Sequence, residues 1–441
     1  MATQCTRRRF FKNAALSGAG LVLLKDSRSA RGFAANEKVN VALVGVSGRG
    51  SWFSDTMPSI SNVVAMCDVN ERRAAPYFKA IPDAKKYSDF RKMLEEMDKQ
   101  IDAVVVATPD NTHAVISALA IRMGKGVYCE KPLTHDVYES RFLRDLAAEK
   151  KVATQLGNQG TATEPFRRAV ELIWGGVLGD VQEVHVWNTN GGSGERPLPT
   201  EEHPVPDYLN WDLWLGPARW RPYNSRWVEW STWRDFATGQ LGNWASHTMN
   251  LVFKGLKIDS LWNRPYTSTG WPAFRVDVEL SGVHRATFPE WEIIRYHIPS
   301  RGDMKPVTVN WYNGAGKAPQ CREHVEEMLG HRLDWGDTGE KKWADHAGCV
   351  IAGTKGMIHS TGHNATFKLL PSDKFKDFQG PAPTLPRSPV TSGSGSTRSK
   401  AARRRCRTST TAGRWRNSSC SATSRHWSAS PSSTTRSRRR S

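Results

Sequence analysis

Residues 38–50 read KVNVALVGVSGRG, and this stretch predicts the fold. The apolar run fits a strand that is buried on both faces, and a glycine-rich turn separates it from a helix-compatible stretch that starts at residue 51. This order is typical of a dinucleotide site, where backbone N–H groups at a helix start hold the pyrophosphate. The candidate cofactor-binding residues of the turn are Gly45, Ser47, Gly48, Arg49 and Gly50.

Ser47 stands where the pattern G-x-G-x-x-G has its second glycine, and we expect its small side chain to let the phosphates approach. A second apolar strand, NVVAMC at 62–67, ends at Asp68, 18 residues beyond Gly50. A carboxylate there can accept hydrogen bonds from the ribose hydroxyls and repels a 2′-phosphate, so Asp68 favours NAD over NADP. The alternative is a helix N-cap, since Glu71 follows three residues later.

Two further strands end in polar residues. The run IDAVVVA at 101–107 precedes a predicted polar loop at 108–113, and the run VYCE at 127–130 precedes a lysine and a proline. Ligands of doubly wound sheets lie at the carboxyl ends of the strands. The candidate cofactor-binding residues of these two ends are Thr108, Pro109, Asn111, His113, Glu130 and Lys131.

Composition sets limits on function. The 441 residues, 38% of them hydrophobic, suffice for two or three domains, and no apolar run of about 18 residues predicts a membrane span. The net charge of +19 comes from the two ends, because residues 39–390 carry 41 basic and 41 acidic side chains. A neutral body argues against binding nucleic acid. The seven cysteines show no metal-binding spacing, so we predict buried free thiols and no metal site.

The glycine turn, Asp68, the stretch ATPDNTHA at 107–114 and the tripeptide EKP at 130–132 together resemble the Gfo/Idh/MocA family of nicotinamide-dependent sugar and polyol oxidoreductases. The likeness covers most of residues 38–370. It implies an α/β chain with NAD as cofactor. A Rossmann doubly wound parallel sheet at 38–160 is followed by an α+β domain at 161–385, with a mainly antiparallel open sheet.

The resemblance also implies roles for side chains. Lys131 of EKP is implied to lie beside the nicotinamide and the reacting carbinol, where it handles a proton or fixes a hydroxyl. The alternative is a lysine that only covers the end of a strand.

The stretch 239–250, GQLGNWASHTMN, resembles a family motif in which an aspartate precedes a histidine by four residues on one helix face. His247 matches the histidine, and Asn243 occupies the place of the aspartate. The implied catalytic residues are therefore Lys131, His247 and Asn243. An amide can orient the imidazole but adds no charge, so we expect His247 to be a weaker base. The alternative is a helix histidine that is hydrogen-bonded in a domain interface.

The predicted substrate residues are Lys131, His247, Asn158, Arg234 and Asp235. For the last two the alternative is a structural Arg–Asp pair. Twelve of the 18 tryptophans fall between residues 187 and 311. Aromatic faces suit sugar rings, but packing explains most of these tryptophans, so none is assigned a stacking role.

The N-terminus resembles a twin-arginine export signal. TRRRFFK at 6–12 precedes a modest apolar run at 13–24, and cleavage is expected between residues 30 and 35. The alternative is an ordinary basic amphipathic N-terminus. The signal, assigned to 1–35, predicts a partner in the export machinery and a periplasmic or otherwise exported protein. Because free NAD is scarce outside the cytoplasm, we expect a cofactor that is bound tightly before export.

The segment 391–441 contains 13 basic residues and no acidic one, and it is rich in serine and threonine. Such a composition cannot bury enough apolar surface to fold. One interpretation is a disordered basic tail that binds an acidic surface. The hypothesis we favour is a gene that is read out of frame here. Translation of the coding DNA in the other two frames checks it, because one of them should encode an amphipathic helical continuation.

These features predict an NAD-dependent oxidoreductase that acts on a small-molecule sugar or polyol, with homo-oligomers formed through exposed sheet faces. Two alternatives stay open. One is an NAD-dependent glycoside hydrolase or lyase that works through a transient 3-keto sugar. The other is a non-catalytic sugar-binding member of the family, which the asparagine at position 243 motivates.

Overall fold

The computed structural model of the chain describes residues 38–262, 274–314, 319–335 and 343–387. The export signal at 1–35 and the basic tail at 391–441 lie outside the described residues, so both stay predictions. Within the described ranges, no helix is long and apolar enough to cross a membrane.

The first domain is a six-stranded parallel sheet with the strand order β3-β2-β1-β4-β5-β6. Its strands are β1 Asn40–Val44, β2 Asn62–Cys67, β3 Lys85–Tyr87, β4 Ala103–Val106, β5 Gly126–Glu130 and β6 Thr154–Gly157. Its helices are α1 Ser51–Ile60, α2 Glu71–Ala80, α3 Phe90–Glu96, α4 Asp110–Arg122 and α5 Val137–Lys150. The strand order reverses between β1 and β4, which places the ligand crevice at their carboxyl ends. The predicted Rossmann sheet is confirmed.

Strand β1 is apolar from Val41 to Val44 because both faces of the sheet are covered. Val41 and Leu43 pack with Phe53 of α1 on one face. Ala42 and Val44 belong to the core on the other face, together with α4 and α5. Alternate residues of a strand point to opposite faces, so a strand covered on both faces reads as a continuous apolar run.

The loop predicted at 108–113 is shorter in the structure than the prediction had it. Helix α4 begins at Asp110, so residues 110–113 form its first turn. An acidic residue in the first turn favours a helix start, because it faces the positive end of the helix dipole. The Asp110 carboxylate also accepts hydrogen bonds from Thr238, from the backbone N at 3.0 Å and from Oγ1 at 2.7 Å. This buried contact joins α4 to the second domain.

The second domain is a seven-stranded sheet with the order β13-β12-β11-β7-β10-β9-β8. Only β7 and β10 pair in parallel, so the predicted antiparallel sheet is confirmed. The strands are β7 Val181–Asn188, β8 Val276–Leu280, β9 Glu292–Ile298, β10 Val307–Asn313, β11 Ala347–Gly353, β12 Gly356–Thr361 and β13 Phe367–Leu370. The helices are α6 Glu164–Trp174, α7 Trp211–Leu215, α8 Ser246–Thr248, α9 Asn250–Gly255, α10 Pro319–Leu329 and α11 Trp343–His346, with a π-helical turn at Leu241–Ala245.

Helices pack on both faces of this second sheet. Val184 and Val186 of β7 face the core that contains α6 and α9. Trp187, on the opposite face of the same strand, packs with Val325 of α10. Four cysteines, at 67, 129, 321 and 349, are buried free thiols as predicted, and the other three lie outside the described residues.

The last residues that the structure describes, 384–387, are bound to a buried carboxylate of α6. Glu171, whose side chain is 1% exposed, accepts hydrogen bonds from the backbone N atoms of Thr384 and Leu385, at 2.7 and 2.6 Å. Arg387 forms two further bonds to the same carboxylate, each 2.8 Å long. The bonds to Arg387 and to the two N–H groups lower the pKa of Glu171 from 4.5 to about 2, although burial alone would raise it. The anion therefore anchors this segment to α6.

We expect Glu171→Gln to lower the free energy of unfolding by about 2–3 kcal/mol at pH 7, because it leaves Arg387 without its buried counter-charge. The folded pKa lies below the unfolded value, so this stabilisation is complete above pH 4.5 and is lost as the pH falls towards 2. Urea unfolding at several pH values measures both effects.

The control is Glu164→Gln. Glu164 also pairs with Arg387, but its side chain is 58% exposed, so we expect a loss below about 1 kcal/mol. Equal losses in the two variants, or a Glu171→Gln effect that persists at pH 2, would contradict the anchoring role.

Candidate active site

The glycine turn is packed too tightly for side chains. Gly45 and Gly48 have φ angles of 78° and 58°, which favour glycine. A Cβ atom at Gly45 would lie 2.5 Å from the carbonyl oxygen of Ala107, and one at Gly50 would overlap the carbonyl of Gly45. The turn thus brings bare backbone to the start of α1, at the crevice between β1 and β4. This arrangement fits the pyrophosphate of a dinucleotide.

Asp68 closes onto this turn from the end of β2. Its Oδ2 accepts hydrogen bonds from Val46 N at 3.1 Å and from Ser47 Oγ at 3.4 Å. The N-cap of α2 is Asn70, whose side chain accepts from Arg73 N at 3.0 Å. The alternative interpretation of Asp68 as the N-cap is therefore wrong. Its carboxylate lies where a ribose is bound in this type of fold.

Glu130 is a buried carboxylate at the end of β5. It accepts hydrogen bonds from Arg49, with Nε at 3.0 Å and Nη2 at 2.9 Å, and from Gln159 Nε2 at 3.2 Å. A Cβ atom at Gly157 would lie 2.8 Å from this carboxylate, so the absence of a side chain there gives it room. Arg49 thereby ties the glycine turn to the EKP segment.

Lys131 is partly buried, and its Nζ donates a hydrogen bond to Asn243 Oδ1. Burial lowers the pKa of Lys131, which increases the fraction of neutral amine. We predicted that Asn243 orients His247, but the structure instead places its side-chain oxygen on Lys131. The reason is the π-helical turn Leu241–Ala245, which disturbs the i and i+4 alignment that an α-helix would provide.

His247 is 6% exposed, and its Nδ1 has no hydrogen-bond partner among the described residues. Burial and the nearby charge of Lys131 hold the pKa of His247 well below its usual range. The imidazole is therefore neutral at pH 7 and can accept a proton. A buried polar nitrogen without a partner is costly, and such atoms are concentrated where ligands bind.

His363 is a site residue that the sequence reasoning missed. Its ring centroid lies 4.6 Å from that of His247 and 5.5 Å from that of Trp244. It reaches the site from the turn between β12 and β13, and a Cβ atom at Gly160 would overlap its backbone carbonyl. Burial and the charges of Lys131 and Arg49 lower the pKa of His363. No motif surrounds it in the sequence, so only the fold identifies it.

His113 is placed differently from the prediction. Its Nδ1 lies 2.7 Å from the carbonyl oxygen of Pro132 and its Nε2 lies 2.8 Å from that of Thr108, so both ring nitrogens donate. Burial alone would lower the pKa of His113, but Cys129, Asp110 and the Pro132 carbonyl raise it to about 10. The resulting cation fixes the EKP segment and has no donor left for a cofactor.

Asn111 contacts the second domain through its donors, while its buried Oδ1 has no hydrogen-bond partner among the described residues, so its role as a cofactor ligand stays a prediction. Its Nδ2 donates to the Leu215 carbonyl at 3.0 Å, and its backbone N donates to the Phe236 carbonyl at 3.3 Å. The side chain therefore joins α4 to the second domain. Thr108 and Pro109 do lie at the end of β4 beside the glycine turn, as predicted.

The remaining predicted substrate residues are Asn158, Arg234 and Asp235. Asn158 is buried at the end of β6, with its Nδ2 3.4 Å from Asn250 Oδ1. Arg234 donates through Nε to the carbonyls of His284 and Thr287, at 3.0 and 2.6 Å. The Asp235 carboxylate pairs with Arg221, and its side chain is 52% exposed. The alternative of an Arg234–Asp235 pair is therefore wrong, and the Nε of Arg234 is already occupied by backbone carbonyls.

Two stretches of the chain match the domains of one protein family. Residues 39–158 match the Gfo/Idh/MocA domain described as "Oxidoreductase family, NAD-binding Rossmann fold". Residues 176–293 match the domain described as "Oxidoreductase family, C-terminal alpha/beta domain". The first match contains the glycine turn, Asp68 and Lys131.

Named relatives share part of their length with this chain. Inositol 2-dehydrogenase 2 of Saccharopolyspora erythraea is 38% identical over 158 residues, which are 34% of this chain and 45% of that protein. Inositol 2-dehydrogenase of Salmonella typhimurium is 29% identical over 151 residues, 32% of this chain and 44% of that protein. The chain thus spans less than half the length of these relatives.

A solved structure of levoglucosan dehydrogenase, in complex with NADH and L-sorbose, is similar with a TM-score of 0.50 and 17% sequence identity. The similarity covers 76% of each chain and concerns the fold.

We expect Asn243→Asp to raise the pKa of Lys131, because a carboxylate in contact with the amine stabilises the ammonium form. A rate that depends on the neutral amine should then shift its rising limb to higher pH by about 1–3 pH units. The shift is measured from the pH dependence of the catalytic rate and from an NMR titration of the lysine.

The control for this variant is Asn210→Asp. Asn210 is an exposed N-cap of α7, where aspartate caps equally well, so the same chemical change should leave the pH profile alone. A profile that does not move in Asn243→Asp would mean that the Lys131–Asn243 contact has no part in proton transfer.

Proposed function

The chain belongs to the Gfo/Idh/MocA oxidoreductase family, and we propose that it oxidises a hydroxyl group of a sugar or polyol with NAD as the hydride acceptor. One observation carries this proposal. The partly buried amine of Lys131 meets Asn243 at the carboxyl end of β5, near His247, whose Nδ1 has no partner among the described residues. Groups of this kind, poised to exchange a proton at the mouth of a nucleotide-binding sheet, suit the oxidation of an alcohol.

The residues present fit a dinucleotide. The glycine turn would hold the pyrophosphate against the start of α1, and the Asp68 carboxylate would accept hydrogen bonds from the ribose hydroxyls. Asp68 would also repel a 2′-phosphate, which favours NAD over NADP. When bound, NAD accepts the hydride that the carbinol carbon releases. The Arg49–Glu130 pair holds the turn and the EKP segment in one fixed relation.

The proton of the substrate hydroxyl needs an acceptor at neutral pH. His247 is neutral because burial and the charge of Lys131 lower its pKa, so its free Nδ1 can accept this proton. Lys131, with its own pKa lowered by burial, can fix the hydroxyl or share the proton. Either group raises the electron density on the oxygen as the carbon loses hydride.

The substrate class follows from the polar side chains around this pair. The amide of Asn158 at the end of β6 lies beside that of Asn250 at the start of α9, and the ring of Trp244 lies beside His363. Amides hydrogen-bond hydroxyl groups, and an indole suits the C–H face of a sugar or cyclitol ring. Two relatives are named inositol 2-dehydrogenases, which makes cyclitols the first compounds to test.

We expect Lys131→Met to slow the reduction of NAD by about 10²- to 10⁴-fold, because methionine keeps the length of the side chain but cannot exchange a proton. The measurement is the absorbance of reduced nicotinamide with a panel of cyclitols and pyranoses. The dinucleotide released by denaturing the purified protein should be NAD, in equal amount from both forms.

Lys305→Met is the control, because Lys305 lies on the surface with a side chain 67% exposed. It should leave the rate unchanged. Full NAD content without reduction by any member of the panel in the wild-type protein would contradict the oxidoreductase and favour a non-catalytic sugar-binding protein.

A second candidate function has one observation in its favour. Oxidation alone needs a single proton acceptor, whereas His247 and His363 both face the site as bases of lowered pKa. A glycoside hydrolase or lyase needs the second base. The ring hydroxyl is oxidised to a ketone, a base removes the acidified neighbouring proton, and the aglycone leaves with a proton. In a hydrolase, water then adds to the resulting double bond, and the hydride returns to the ketone carbon.

If this second function holds, a nitrophenyl glycoside should release nitrophenol without net formation of NADH. We then expect His363→Asn to lower the rate of nitrophenol release by about 10²-fold or more, while the initial oxidation persists. Accumulation of NADH in the wild-type protein, with the glycosidic bond intact, would contradict it.

A further inference from the structure

A second group of titratable side chains lies on the face of the second sheet that α10 covers. Glu183 and His185 are two residues apart on β7, so both point to this face. His324 belongs to α10, which packs on the same face through Val325. None of these three side chains takes part in the candidate active site.

The three side chains converge on one point. Glu183 Oε1 lies 2.7 Å from His185 Nε2 and 2.6 Å from His324 Nε2. All three donor atoms fall within 4.8 Å of one another, and in the described part of the chain no other three His, Cys, Asp or Glu side chains do so. Two imidazoles and one carboxylate are a common ligand set for zinc and similar ions.

The most buried ligand is also oriented from behind. His185 is 3% exposed, and its Nδ1 lies 2.8 Å from Tyr312 Oη. When an ion is bound, Nδ1–H can donate to the tyrosine oxygen, and the lone pair of Nε2 is then free to bind the ion. Metal-binding histidines are usually held in this way by a second hydrogen bond on the other ring nitrogen.

We propose that Glu183, His185 and His324 bind a divalent transition-metal ion, with Zn²⁺ as the best candidate. Without metal, an N–H group of each imidazole donates to the Glu183 carboxylate. On binding, the ion takes the place of these two protons, and each imidazole then carries its proton on Nδ1, which in His185 donates to Tyr312 Oη. Bonds of about 2.0–2.2 Å in a tetrahedral arrangement separate the donors by about 3.3 Å, so each imidazole nitrogen needs to move only about 0.6 Å farther from Glu183 Oε1. The half-exposed side chains of Glu183 and His324 leave room for water as a fourth ligand.

The ion would act as a clip between secondary structure elements. Two of its ligands come from the sheet and one comes from α10, so binding would fasten the helix to β7. The cysteine spacing predicted no metal site, and the sequence contains no signal for this one, because His324 is far from the E-x-H pair of β7. Only the packing of α10 brings the third ligand into place.

The test uses the full chain, freed of metal with a chelator and saturated with NAD. Titration with ZnCl₂ by calorimetry, together with metal analysis after gel filtration, gives the number of bound ions and their affinity. We expect His324→Ala to bind one equivalent less than the wild-type protein, or to bind that ion at least about tenfold more weakly. Zinc should raise the melting temperature of the wild-type protein more than that of the variant.

His297→Ala is the matched control. His297 is a partly exposed histidine on the same sheet face, but its Nε2 meets only one carboxylate, that of Asp277 at 2.8 Å. Its loss should change neither the number of ions nor their affinity. Any zinc bound by cysteines or by the active-site histidines is common to all variants and cancels in the comparison.

Glu183→Gln is a second variant that keeps the size of the side chain and removes its charge, in case His324→Ala does not fold. It should lose the same equivalent. If either folded variant binds zinc as well as the wild-type protein does, the proposal is overturned. The three side chains would then form only a hydrogen-bonded cluster. A loss in His297→Ala as large as that in His324→Ala would overturn it as well.

Discussion

The buried carboxylate of Glu130 constrains the whole candidate active site. A charge in that position is stable only with a partner, and Arg49 of the glycine turn supplies it through two bonds near 3.0 Å. The pair spans the crevice between the turn after β1 and the end of β5. Because Lys131 is the next residue, the place of its amine follows from the place of the turn. Cofactor binding and proton chemistry therefore share one fixed frame.

The second domain completes this frame with residues that carry no fixed charge. Asn243 accepts a hydrogen bond from Lys131, and His247 is neutral, so neither adds a permanent negative charge beside the amine. The site thus contains cations and neutral bases, and its buried carboxylates at Glu130 and Asp110 already accept hydrogen bonds from Arg49 and Thr238. Such a site lowers the pKa of each base in it and suits an uncharged substrate whose hydroxyl must lose a proton.

Local chemistry explains which parts were predictable from the sequence. The turn at Gly45, the carboxylate at Asp68 and the lysine at 131 each depend on neighbours within a few residues, and the structure places all three at the crevice. The contacts of His113 and Asn111 were not predictable, because their partners Pro132 and Leu215 come from other elements. His363 left no sequence signal, since only the packing of the β12–β13 turn against Gly160 brings it close.

The π-helical turn Leu241–Ala245 sets which side chains of this segment face the site. Each ring of its hydrogen bonds encloses one residue more than an α-helical ring does. Deletion of one residue would restore the α-helix and rotate everything before it by about 100° relative to His247. A different side chain would then face the amine of Lys131, although no residue had been substituted. The length of this segment, and not only its composition, is therefore a variable through which a chain of this fold can diverge in the alcohol that it accepts.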